Sequence, residues 1–203
     1  MRFIIPSLLF LLIVTSCKDK KLPILGNRYF ELGDTVYAKV PDFDYMNQDS
    51  QMVSLKSLEG DIILATFFFT SCQTICPKVM RSMMRLEETF KADSQLAYIC
   101  FSLDHRKDTI PRLKQYKSKL GVQNNNFHLL RGNEYNDTKN IANGFLSTAM
   151  DDPTAPGGID HSGWILLVDT AHHIRSFSLG TDEKDVNRFI DDIKLLQDEM
   201  GRH

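Results

Sequence analysis

Residues 61–77 read Asp61-Ile62-Ile63-Leu64-Ala65-Thr66-Phe67-Phe68-Phe69-Thr70-Ser71-Cys72-Gln73-Thr74-Ile75-Cys76-Pro77, and this stretch decides the fold. Its first nine residues are mostly β-branched or aromatic, without the alternation of a half-exposed strand. Such a run predicts a strand over 61–69 that is buried on both faces, in the middle of a sheet. A short polar loop follows. Pro77 suits the first turn of a helix, where its missing N–H leaves nothing unpaired. Val79, Met80, Met83, Leu86 and Phe90 then recur at helical spacing, which predicts a helix over 77–90 with one apolar face. Cys72 and Cys76 therefore lie at or just before a helix N-terminus, at the carboxyl end of a central strand, where open α/β sheets place ligands. Unpaired N–H groups and the helix dipole favour thiolates over thiols there. Spaced by four, the two sulfurs can converge either on one ion or on each other.

Working outward, residues 96–103 form a second apolar run of strand character. Ile110, Leu113, Tyr116 and Leu120 mark a helix preceded by Asp108-Thr109 and closed by Gly121. A short strand is expected at 127–130. Tyr135, Thr138, Ile141 and Phe145 mark another helix, with Asn133 as its cap. After a loop over 147–162, Trp164–Val168 and Ile174–Leu179 read as a hairpin around Ala171-His172-His173. A last amphipathic helix carries Val186, Phe189, Ile190, Ile193 and Leu196, capped by Thr181 with Asp182 and Glu183 in its positive first turn. Residues 35–40 alternate as a strand would, and 41–58 read as an irregular or hairpin segment. The order β-α-β-α-β-α-β-β-α predicts an α/β sandwich with a mixed sheet.

The N-terminus carries an address. Arg2, an apolar run from Phe3 to Val14 and Thr15-Ser16-Cys17 make a charged start, a short apolar middle and a small-residue cleavage site. The run is shorter than the ~20 residues a membrane-spanning helix needs. It resembles a bacterial lipoprotein signal, which implies a signal peptide over 1–16 and a lipid on Cys17. A lipid with two or more chains anchors stably. Residues 17–33 then read as a tether and 34–203 as one domain. The domain is expected outside the cytoplasm, facing the periplasm and held to the membrane, where disulfides persist.

The site stretch also carries a resemblance. Thr70-Ser71-Cys72-Gln73-Thr74-Ile75-Cys76-Pro77 is similar to the T-x-C-x-x-x-C-P stretch of the Sco/SenC family, thioredoxin-fold copper chaperones for cytochrome c oxidase. Ser102-Leu103-Asp104-His105-Arg106-Lys107-Asp108-Thr109 is similar to the family's S-V-D-P-E-R-D-T, and Asp160-His161-Ser162 to its D-H-S. His105 stands where the family often has Pro, which bears on that loop's shape. The resemblance implies a thioredoxin-like, three-layer α/β/α sandwich with a central mixed sheet. It implies copper held by Cys72, Cys76 and His161, with delivery to the dinuclear copper site of a haem-copper oxidase. Thiolates are soft and select Cu(I), and an imidazole also accommodates Cu(II). Three ligands leave an open position for hand-over, whereas a closed set of four would suggest structural zinc. Asp160 is a candidate to orient the imidazole.

A second function shares the residues. Cys72 and Cys76 can close a disulfide and act as a redox-active dithiol, reducing copper-ligand or other extracytoplasmic cysteines, a chemistry that does not need His161. A thiol peroxidase would place Thr three residues before the Cys of Cys-Pro; here that residue is Gln73 and Thr74 is one place late. Other candidates take structural readings. Cys100 is a buried thiol, Met80, Met83 and Met84 pack in the core, and His172-His173 lie exposed in a hairpin turn. His105 and His128 have no evident ligand partner, and Asp104 and Asp108 close a loop or cap a helix. With 24 Lys+Arg against 26 Asp+Glu, the chain has no basic excess with which to bind nucleic acid. The expected partners are a copper-accepting oxidase subunit and, through the N-terminal lipid, the membrane; the domain is expected to be a monomer.

Overall fold

The computed structural model describes residues 20–202, so the signal read over 1–16 and the lipid attachment at Cys17 lie outside the described residues. The strands are β1 (Arg28–Glu31), β2 (Asp34–Tyr37), β3 (Asp44–Asn47), β4 (Met52–Ser54), β5 (Ile62–Phe68), β6 (Leu96–Ser102), β7 (Phe127–Arg131), β8 (Ala149–Asp151), β9 (Ile159–His161), β10 (Trp164–Val168) and β11 (Ile174–Leu179). The helices are α1 (Cys76–Thr89), α2 (Ile110–Leu120), α3 (Asp137–Ala142) and α4 (Glu183–Glu199). Seven strands form one sheet in the order β11-β10-β5-β6-β7-β3-β4. β5, β6 and β7 run parallel, while β10, β11, β3 and β4 pair antiparallel.

The run at 61–69 does what its composition demands. All seven residues of β5 are buried, as are all seven of β6 beside it. Each large apolar side chain removed from water there is worth about 1.5–3 kcal/mol, so this pair anchors the core. Alternation along β5 sends Phe67 to one face, against Phe101 and Phe145, and Phe68 to the other, stacked on Tyr116 of α2. Successive parallel crossovers of one hand put α1 and α2 on the same face. α4 lies beside α1: Ser82 donates to the Gly180 carbonyl at 2.7 Å, and Arg85 reaches Asn187. α3 covers the opposite face, tied to β6 by Thr138 Oγ1 donating to the Ser102 carbonyl at 2.7 Å. The mixed sheet with helices on both faces is the expected sandwich.

Differences from expectation lie at the periphery. The strand expected over 35–40 is the shorter β2, and it pairs with β1 inside the segment read as tether. The loop expected over 147–162 contains β8 and β9, an antiparallel ribbon separate from the main sheet. Asn133 does not cap α3; its amide donates to the Asp44 carbonyl at 3.1 Å. The cap of α4 is Asp182 rather than Thr181, because the Asp182 carboxylate accepts from the Lys184 and Asp185 N–H groups. Gly121 closes α2 at φ 75°, a conformation that favours glycine. Cys100, Met80 and Met83 are buried, and Met84 packs against the core. The β10–β11 turn is less exposed than expected: His172 and His173 are half-buried, and the Asp169 carboxylate accepts the Ala171 and His173 N–H groups. Among the described residues no helix is long and apolar enough to cross a membrane.

Candidate metal centre

The loop between β5 and α1 is staked from below by a buried carboxylate. Asp108 Oδ2 accepts the Thr70 N–H at 3.0 Å and the Ser102 hydroxyl at 2.6 Å, and its other oxygen accepts the Thr70 hydroxyl. Arg112 Nε donates to Thr70 Oγ1 at 2.6 Å from the solvent side. Burial pushes the Asp108 carboxyl's pKa up, and the Ser102 and Thr70 hydrogen bonds act against that shift. Asp104 closes the turn that delivers Asp108: its carbonyl accepts the Asp108 N–H at 2.8 Å, and its carboxylate accepts the Lys107 N–H at 3.1 Å. With His105 in place of the family's Pro, the turn still closes; its ring lies 3.1 Å from the Asn133 carbonyl.

On this support the Cys72 N–H bonds the Phe69 carbonyl at 3.2 Å, and Cys76 is the first residue of α1, with Pro77 following in the first turn. The two thiols differ. Burial opposes ionisation of Cys72, but hydrogen bonds from the Thr74 hydroxyl and from the Cys76 and Thr74 backbone outweigh it and lower the thiol's pKa. Burial pushes Cys76 strongly up, and the adjacent Cys72 sulfur adds to the shift. The helix N-terminus was expected to favour thiolates at both positions; at Cys76 desolvation wins, because its side chain is enclosed by the core and the charged form loses its hydration. Both thiols are free, as is the buried Cys100.

His161 arrives from β9. Its Nε2 lies 3.2 Å from Cys76 Sγ, and the ligand atoms of Cys72, Cys76 and His161 all lie within 4.8 Å of one another. Burial lowers the imidazole's pKa, opposed by a hydrogen bond to the Ile159 backbone and by the charge of Asp160. Asp160 itself is exposed. A ring held neutral with a nitrogen facing two sulfurs is the form that binds a metal. Metal–sulfur and metal–nitrogen bonds of about 2.0–2.3 Å put donors on one ion roughly 3.5–4 Å apart, so small side-chain shifts would seat an ion here.

Two supports of the imidazole carry no motif in the sequence. Phe69 meets the His161 ring edge-on at 5.2 Å. Gly157 lies flat on Phe69: a Cβ there would fall 2.6 Å from the ring, and its φ of 87° is one that side chains rarely adopt. The Gly157-Gly158 doublet was the available signal. His172 and His173 lie in the β10–β11 turn, beyond Val168, which pairs with Ile63 near the opposite end of β5. His128 joins no ligand group among the described residues; its Nδ1 accepts from the Asn47 amide at 3.2 Å.

A mixed sheet with helices on both faces, carrying two thiols and an imidazole at the carboxyl end of its central parallel strand, defines a thioredoxin-like protein with a metal-competent dithiol. The SCO1/SenC family profile matches residues 34–196, and the chain belongs to that family. Solved structures of Sco proteins share its fold. A SCO1/SenC family lipoprotein from Bacillus anthracis str. Ames is 26% identical with a TM-score of 0.71, the alignment covering 78% of this chain and 94% of that one. BsSco, described as a member of the Sco family of cytochrome c oxidase assembly proteins and as having a disulfide switch, is 28% identical with a TM-score of 0.68, covering 78% and 92%. Arabidopsis thaliana ScoI, solved with copper bound, has a TM-score of 0.65 over 79% and 99%; at 21% identity it speaks to the fold. The Cys-Cys-His group of this chain fits copper by its donor chemistry.

Proposed function

We propose that this chain is a copper carrier that serves the assembly of a haem-copper oxidase, handing copper to the dinuclear copper site. The observation that carries the reading is the convergence of Cys72, Cys76 and His161, brought together from residues far apart in the chain. Two soft sulfurs and one imidazole suit Cu(I) and tolerate Cu(II), and a three-donor set leaves a position through which an acceptor's ligand can attack the ion. Copper is the cargo, so a site open on one side serves better than a closed cage. The reduced, full-length protein is expected to bind one Cu(I) tightly, measured by competition with a chromogenic chelator. His161→Ala should weaken that binding at least about tenfold, roughly 1.4 kcal/mol. Equal affinity in the variant would defeat the assignment.

The free dithiol favours a second reading, thiol–disulfide exchange. One thiolate would attack a target disulfide and release one target thiol; the second would then resolve the mixed disulfide, leaving Cys72–Cys76 oxidised and the target reduced by two electrons. Turnover on a disulfide substrate that survives His161→Ala would favour it over copper carriage. The Met1–Cys17 pattern supports a further proposal, an extracytoplasmic lipoprotein anchored at Cys17, and the Bacillus anthracis relative bears the name lipoprotein. Mass spectrometry of the mature protein should find cleavage before Cys17 and a diacylglyceryl adduct on it.

A further inference from the structure

The ribbon that delivers His161 is a weak element by itself: two strands of three residues, hydrogen-bonded to each other and not to the main sheet. Such a hairpin does not hold a position in water unaided. Its register sets Ala149 opposite His161 at the root and Asp151 opposite Ile159 at the outer end. At the root, Ser162 N–H donates to the Thr148 carbonyl at 3.1 Å.

The outer end is held differently. Lys139 of α3 places Nζ 2.6 Å from Asp151 Oδ1, and Tyr135 Oη donates to the same carboxylate at 3.2 Å. The lysine side chain is only 6% exposed, and its ammonium lies 4.3 Å from the centre of the Tyr135 ring. Arg106 covers that ring as well, 4.5 Å from its centroid. A buried lysine next to a lone carboxylate is a costly arrangement to break, since the cation would be left unpaired away from water. α3 is in turn bonded to β6 through Thr138. A continuous path therefore runs from the rigid sheet through α3 and Lys139 to the outer end of the histidine ribbon.

We propose that the Lys139–Asp151 pair, backed by Tyr135, is a latch that holds His161 in its ligating position, and that these are positioning residues for the metal centre. The inference rests on His161 being a ligand. Opening the latch leaves the two sulfurs where they are and lowers the fraction of molecules whose imidazole is in reach. Apparent affinity falls in proportion to that fraction.

The test uses the full-length protein with Lys139→Met, which keeps the packing over Tyr135, and with Asp151→Asn, which changes a half-exposed side chain. In the metal-free protein, hydrogen exchange at the amides of Ile159–His161 should speed about tenfold in both variants while β5 keeps its wild-type protection. Copper affinity should fall about tenfold in the wild-type background and stay unchanged when His161→Ala is already present. Equal losses in both backgrounds, unaltered exchange in the ribbon, or acceleration spread through β5 would each overturn the latch. The exchange measurement needs no metal. A wild-type protein that binds no copper would therefore refute the carrier reading while leaving the latch to be decided by exchange alone.

Discussion

The two halves of the metal centre stand on unequal supports. The thiols lie at the end of β5, a strand buried along its whole length between two hydrogen-bonded neighbours, and their loop is pinned by the buried Asp108. The imidazole lies on a ribbon of three-residue strands outside the main sheet, which reaches the core through Ile159 and Ala149. It is otherwise held by one ion pair with its Tyr135 hydrogen bond, a glycine packed on Phe69 and a few root hydrogen bonds. Local opening costs least where few apolar groups and few shared hydrogen bonds resist it. The geometry thus pairs a fixed dithiol with a more adjustable imidazole, which would suit the proposed carrier: an ion could stay on sulfur while the imidazole was exchanged for an acceptor's ligand.

Breaking the fixed half should have the largest effect. Replacing Cys72 and Cys76 together by Ser is expected to reduce Cu(I) affinity more than about a thousandfold, about 4 kcal/mol, measured by chelator competition, with the fold unchanged by circular dichroism. Asp108→Ala comes next. It leaves the Thr70 N–H and the Ser102 and Thr70 hydroxyls without their acceptor, at about 1–3 kcal/mol for a buried group left unsatisfied. A urea melt should show a loss of about 3 kcal/mol, with unchanged stability refuting the role given to this carboxylate.

Acid should weaken the sheet by a similar or slightly smaller amount. Burial lowers the His128 pKa from 6.5 to about 4. The unfolded chain therefore binds more protons than the folded one between those values, so this contribution is complete above pH 6.5 and is lost as the pH falls towards 4. The loss at the acid end is about 3 kcal/mol. His128→Gln, which keeps an acceptor for Asn47, should flatten the slope of stability against pH in this window; an unchanged slope would assign the sensitivity to other groups. The smallest effect on stability belongs to the ribbon. Gly157→Ala meets both a strained φ and the Phe69 ring, at about 1–2 kcal/mol. Global unfolding should shift by only a few degrees, yet copper affinity should drop several-fold because the displaced element carries His161.

The same contrast governs what could be read before the fold was known. The dithiol loop was legible because an unbroken apolar run, a Pro in the first helical turn and apolar spacing over 79–90 each signal their element by local rules. The ribbon was not. Its strands are only three residues long, too short for an alternation to show, and residues 152–158 between them, rich in Gly, Pro, Asp and Thr, read as loop by every compositional rule. The cap of α4 was misplaced by one residue, Thr181 for Asp182, since both types cap well and only backbone geometry selects between them.

Sequence by itself determined the central strand, the helix that follows it and the sandwich class, because burial pattern is a property of short stretches; the three donors were implied by the resemblance that the Cys72–Pro77 and Asp160–Ser162 motifs carry. Tertiary structure alone decided that the Cys76 thiol is driven towards its protonated form, that Asp108 rather than a cap stakes the loop, and that His161 comes within 3.2 Å of a sulfur. Desolvation and distance depend on which distant residues pack together, and no local rule encodes them.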